Sequence, residues 1–135
     1  MTDTKELRAR CQSATADEQR EVLEEVWEFL APTFRRAGLP DVAHKFATML
    51  DATAYESAAL LLMREVLPGW RRVAREESDH FFVRIHSPDF DSVTWGKGEN
   101  WITDVLTGRE ASAKASTEAL AILSAILTAK ENENG

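Results

Sequence analysis

Residues Asp79 to Asp91 read DHFFVRIHSPDFD, with two histidines, three aspartates and an arginine in thirteen positions. Imidazole nitrogens and carboxylates are the ligands of zinc and the proton carriers of general acid–base sites. HFFVRIH has the β-branched and aromatic character of a strand, in which alternate residues face opposite sides. Phe81, Val83 and Ile85 then share a core face, and His80, Phe82, Arg84 and His86 share the other. Six strand steps put His80 and His86 roughly 20 Å apart, too far to share one ion held at about 2.0–2.3 Å. The following SPDFD places Asp89 and Asp91 two positions apart, but lacks the glycine and distal glutamate of a calcium loop. Pro and Asp together favour an ordinary turn. No metal, cofactor or catalytic residue is therefore expected here.

Other chemistry-bearing patterns are as sparse. There is no GxSxG, Walker loop, HExxH or CxxC. GKGEN, from Gly96, lacks the Lys-Ser/Thr ending of a phosphate loop and fits a hairpin turn. His44 beside Lys45 fits a helix surface. Cys11 is the single cysteine, which excludes an intrachain disulfide and a thiolate cage. Arg64, Arg71, Arg72 and Arg75 form a basic cluster around Pro68–Gly69. Pairing with Glu65, Glu76 and Glu77 is its simplest role. Contact with a small anion or nucleotide, helped by Trp70, Trp95 and Trp101, is the alternative.

The 135 residues fit one domain, with 44% hydrophobic and 29% charged residues, a folded-protein profile. The net charge of −7 disfavours direct nucleic-acid binding and favours a basic partner. MTDTKELRAR has no signal-peptide core, and the longest apolar run, AALLLM from Ala58, is too short for a bilayer. A cytoplasmic protein with no membrane contact is expected.

The elements that must position any site follow from periodicity. TKELRARCQ is a weak helix. Thr15 and Glu18 form a capping box for a helix running to about Ala37, with Gly38 as its cap and Pro32 as an interruption. Val22, Leu23, Val26, Trp27, Leu30 and Phe34 fall on one arc of it. Asp17, Glu18, Glu21, Glu24, Glu25 and Glu28 fall on the opposite arc, an acidic face suited to a basic protein partner. Pro40 opens a second helix with Val42, Phe46, Met49 and Leu50 inward. Tyr55 to Leu67 forms a third, apolar nearly all round and stopped by Pro68–Gly69. WRRVARE, HFFVRIH and two strands in SVTWGKGENWITDVL follow. Ser116 then caps a last helix, with Leu120, Ile122, Leu123, Ile126 and Leu127 on its core side and Ala121, Ser124, Ala125 and Thr128 on a small-residue side. This predicts an α+β fold: N-terminal helices, an antiparallel β-meander of three to four strands, and a C-terminal helix packed on the sheet. Residues 1–52 are the helical segment, 53–130 an alpha/beta sandwich core and 131–135 a frayed tail, together one compact domain. The expected core includes Trp27, Leu61, Val83, Ile85, Leu123 and Ile126.

LDATAYESAALLLMREVLPGWRRV and ASTEALAILSAILTA together resemble small phage and prophage proteins with an α/β/α sandwich domain. In that family an Ala/Leu helix runs into Pro-Gly-Trp, a β-meander follows, and an Ala/Leu helix led by Ser or Thr closes the domain. The match covers Leu50 to Val73 and Ala115 to Ala129. The strands match in character only, and the helices to about Thr48 match poorly. The resemblance implies a phage or mobile-element origin and no enzymatic activity. With the acidic face, it leads to an expected inhibitor of a nucleic-acid-directed host defence complex, acting on a basic host protein in the host cytoplasm. The oligomeric state stays open, a homodimer included.

Overall fold

The computed structural model describes residues 3–33 and 39–134. Five helices and five strands lie within them: α1 (Thr4–Ser13), α2 (Gln19–Leu30), α3 (Leu39–Asp51), α4 (Tyr55–Val66), β1 (Arg71–Glu76), β2 (Phe81–His86), β3 (Asp91–Lys97), β4 (Asn100–Thr107), β5 (Glu110–Ala115) and α5 (Glu118–Asn134). The fold is α+β, with α5 packed on the sheet.

Helix boundaries follow local chemistry. The capping box is present, with Glu18 Oε1 accepting from the Thr15 amide at 3.0 Å. It starts a 3-10 turn over Ala16–Glu18, which α2 continues. Pro32 cannot donate to an α-helical ladder, and α2 accordingly ends at Leu30 in a second 3-10 turn over Ala31–Thr33. The expected extension to Ala37, the Gly38 cap and the place of Phe34 fall at residues 34–38, outside the described residues. Gly69, at φ +83°, turns the chain from α4 into β1. Thr117, rather than the expected Ser116, caps α5: its hydroxyl accepts from the Leu120 amide at 3.2 Å. Ser116 instead donates to the Ala14 carbonyl at 2.7 Å, tying α1 to the end of β5. Residues 131–134, assigned to a frayed tail by their polar composition, continue α5, and Glu131 pairs with Arg8 of α1 at 2.8 Å.

β1, β2 and β5 form an antiparallel sheet with β2 in the centre. Phe81, Val83 and Ile85 point to one face, where Val83 and Ile85 are fully buried. Ala111, Ala113 and Ala115 of β5 lie opposite Ile85, Val83 and Phe81 on that same face. Their small side chains let α5 approach closely, and α5 is the hub of the core. Leu120 to Leu127 are all buried, and α1, α2 and α4 pack on the helix away from the sheet. The small-residue side of α5 is thus enclosed as well, with Gln12 of α1 donating to the buried Ser124 hydroxyl at 3.3 Å. Of the expected core, Leu61, Val83, Ile85, Leu123 and Ile126 are buried. Trp27 is corrected to a partly buried position at the rim, stacked on Phe46 with ring centroids 4.5 Å apart.

The chain does not run as a simple meander. After β2 it leaves the sheet, forms the separate β3–β4 hairpin, and returns as β5 beside β2. The sheet therefore has a strand, EASAKA, that was absent from the sequence-based expectation.

Candidate functional site

The departing loop is the SPDFD segment singled out above, and it is built as a joint. The buried Ser87 hydroxyl accepts from the Arg109 amide at 2.8 Å and donates to Asp89 at 2.7 Å. The Ser87 amide donates to the Arg109 carbonyl at 3.0 Å, and the Phe90 amide to the Ser87 carbonyl at 3.0 Å. Thr107, where the hairpin returns, donates to the Asp89 carbonyl at 2.7 Å. Gly108 (φ +84°) lies so close to Phe90 that a β-carbon there would sit 2.6 Å from its Cα. The Pro/Asp loop thus serves to root the hairpin.

His80 and His86 are used separately. His80 contacts Asp79 at 2.6 Å, which holds the Asp79 carboxyl below its ordinary pKa. His86 contacts Glu110 at 3.2 Å and stacks on Phe90 at 4.1 Å. Among the described residues no group of three His, Cys, Asp or Glu side chains is placed to hold a metal ion. Cys11 is buried, and desolvation pushes its thiol up to about 12, which leaves no reactive thiolate near neutral pH.

Among the described residues the β3–β4 hairpin is the most exposed apolar feature. Its strands meet in a two-residue turn, where Lys97 pairs with Asn100 and Gly98 takes φ +66°. Trp95 lies opposite Ile102, and Val93 opposite Asp104, so these four share one face. Trp95 and Ile102 are each 57% exposed, and the Trp95 indole N–H donates to Asp104 at 3.2 Å. Val105 and Leu106 are exposed as well. The side chain of Trp101 lies outside the described residues. Neither β3 nor β4 packs extensively on any other element. The hairpin stands off the body as an arm.

The acidic face of α2 is present, but much of it is engaged. Arg10 of α1 reaches Glu18 at 2.8 Å, Glu21 at 3.4 Å and Glu25 at 3.5 Å. Bonds from the Thr15 amide and the Arg10 guanidinium lower the Glu18 carboxyl to about 2. Glu24 pairs with Arg20 at 3.1 Å, and Arg20 also reaches Asp51 at 2.8 Å. Asp17 and Glu28 are exposed.

The four arginines around Pro68–Gly69 are not gathered into one site. Arg64 is exposed on the last turn of α4. Arg72 faces the helices and bridges Glu56 at 2.9 Å and Glu118 at 3.1 Å. The Glu56 and Glu118 carboxyls thus share Arg72 and influence each other's protonation. Glu118 is pushed above the ordinary carboxyl range, mainly by burial, and Glu56 is drawn below it by its interactions with Glu118 and Arg72. Arg71 and Arg75 alternate with Arg72 and so lie on the opposite sheet face, with Arg75 paired to Glu77 at 2.6 Å. A groove of about 240 Å³ lies between α2 and α3, floored by Trp27, Phe46 and Leu50 and rimmed by Arg20, Glu24 and Glu28. It falls below the several hundred Å³ usual for small-molecule sites.

No helix among the described residues is long and apolar enough to cross a membrane. Comparison with protein-family models, with curated proteins and with solved structures finds no match to this chain.

Proposed function

We propose that this chain is a non-enzymatic accessory protein that acts by binding another protein, with the β3–β4 hairpin as its docking arm. The observation that carries this reading is the outward Trp95–Ile102 pair on a hairpin that, among the described residues, packs extensively on no other element. An isolated two-stranded hairpin is marginally stable in water, so its order is best completed by a partner. Exposed tryptophan is also the side chain most enriched among residues that dominate binding energy. The hairpin carries Asp91, Glu99 and Asp104 against Lys97, so a partner offering an apolar cleft with a basic rim fits it.

The narrower form of the proposal is an inhibitor of a host complex that handles nucleic acid. Such a surface is basic, and Asp17 in the 3-10 turn before α2 and Glu28 on α2 would extend the acidic contact. The likeness of Leu50–Val73 and Ala115–Ala129 to small phage proteins supports this form.

The test is affinity purification from a bacterial host lysate with wild type and with Trp95→Ser/Ile102→Ser, beside sedimentation of each alone. A defined partner retained by wild type, lost by the variant at an unchanged melting temperature, is expected. A partner held equally by both defeats the docking-arm reading. Self-association of wild type, abolished in the variant, would make a second copy the partner.

A further inference from the structure

The sheet has a second face, which α5 does not cover. Strand alternation and register put Arg71, Val73 and Arg75 of β1, Phe82, Arg84 and His86 of β2, and Ser112 and Lys114 of β5 on it. Phe82 lies between Arg75 and Lys114, and His86 between Arg71 and Glu110. Arg84 and the flanking Arg71, Arg75 and Lys114 are exposed. In a chain of net charge −7, four cations on one small face are a segregated basic surface.

Its anions are few and sit mostly at the ends. Glu110 reaches His86 at 3.2 Å and Arg84 at 3.9 Å. Glu77, in the β1–β2 loop, takes Arg75. Asp79, in the same loop, is bonded to His80 and feels the charge of Lys114. No ion pair involving Arg71 occurs among the described residues.

We propose that this open sheet face binds single-stranded nucleic acid. The central strand presents Phe82 and Arg84 at alternate positions, two planar groups spaced about 6.6–6.8 Å apart, and the next alternate position, His86, is already stacked on Phe90. Planar rings and guanidinium groups are the surfaces on which unpaired bases stack. Cations on both flanking strands, Arg71 and Arg75 on one side and Lys114 on the other, lie where a bound backbone needs them. The Arg75 guanidinium sits 5.2 Å from the centre of the Phe82 ring, and a base stacking on that ring face would take its place. An acidic peptide would use the cations but gain nothing from the planar groups. A duplex would offer the phosphates but keep its bases stacked on one another. The site is separate from the hairpin, and it replaces the inference from net charge that nucleic acid is not contacted directly.

The test is fluorescence anisotropy with a labelled 20-nucleotide thymidine strand, titrated with full-length protein at 20 mM and 150 mM salt, an order-of-magnitude spread chosen for the counterion effect. Binding is expected at low salt, with a log–log salt slope of about −2 to −3, from three or four neutralised phosphates at about 0.7 each. Arg84→Glu/Lys114→Glu, both exposed positions, should weaken it at least about tenfold. Phe82→Leu, which keeps an apolar side chain but no ring, should weaken it about fivefold or more. Absence of binding at low salt overturns the proposal, as does binding that the double variant leaves unchanged. Equal affinity for a duplex of the same length, with no effect of Phe82→Leu, reduces the face to a nonspecific charge patch and also overturns it. Full competition by polyglutamate without dependence on Phe82 assigns the face to an acidic protein instead.

Discussion

The Ser87 hydroxyl accepts the amide hydrogen of Arg109 at 2.8 Å, and so joins the strand that leaves the sheet to the one that re-enters it. Ser87 is 2% exposed and spends its own proton on Asp89. Ser87→Ala removes both bonds from a buried position and should cost about 1–3 kcal/mol. Urea denaturation measures this; an unchanged midpoint would mean that the hairpin is not rooted through this serine.

Gly108 sits at the same joint. Any side chain there must adopt φ +84° and meet Phe90 and Ser87 within 2.6–2.8 Å. Both penalties act on backbone that cannot yield cheaply. Gly108→Ala should therefore lower the melting temperature more than Ser87→Ala, and free the hairpin to move. Proteolysis at the Ser87–Phe90 loop, read by mass spectrometry, should speed up in Gly108→Ala before the core is cut.

How far this arrangement was legible in the sequence depends on the element. α4 and α5 carry their burial in plain composition, and HFFVRIH alternates cleanly, so both core layers followed from periodicity. EASAKA alternates too, but with alanine as its only apolar residue, and alanine signals a helix as readily as a strand. Its place beside β2 is set by the partner strand and by the need for small residues under α5. Trp27 failed as a core residue because an arc on a helix fixes direction and not depth. Its ring covers Phe46 at an edge where α3 leaves solvent access. The basic face of the sheet was hidden because its members come from three strands joined only by register, and the Arg10 clasp because it joins two helices.

Leu123 is fully buried in α5, between the sheet and the N-terminal helices. Leu123→Ala should cost about 2–5 kcal/mol, toward the upper part of that range because both sides are held and the cavity cannot collapse. Chemical denaturation followed by circular dichroism is the measurement. A loss under 1 kcal/mol would mean that the helix and sheet do not share one rigid core.

Glu18 makes folding sensitive to acid. Its folded pKa, about 2, lies below the ordinary 4.5 that the unfolded chain approximates. Such a carboxylate contributes stability that is fully present above pH 4.5 and is lost as pH falls from there toward 2. Glu18→Gln keeps an acceptor for the Thr15 amide but neither the charge nor the titration. The variant should be less stable than wild type at neutral pH, and the gap should close through that acid window. Thermal melts across the window check this; a constant gap would place the effect in geometry and not in charge.

The acidic face of α2 has two parts with different jobs, and charge reversal should separate them. Glu18, Glu21 and Glu25 converge on Arg10 and hold α1 against α2. Lysine at those positions sets like charges beside a guanidinium that is largely covered, so Glu21→Lys/Glu25→Lys should lower the melting temperature. Each partly exposed pair is worth about 0–1 kcal/mol, and reversal adds repulsion to that loss. Asp17→Lys/Glu28→Lys changes the net charge by the same amount away from Arg10, and should leave stability within about 0.5 kcal/mol. If a basic partner reads this face, the second variant should slow association, with the larger effect at low salt, where opposite charges steer encounter most strongly. Association rates of both variants at two salt concentrations, measured against the partner retained by the hairpin, decide the matter. Should Asp17→Lys/Glu28→Lys associate as fast as wild type at both salts, the face serves only to solvate α2 and to clasp α1, and the hairpin alone recognises the partner.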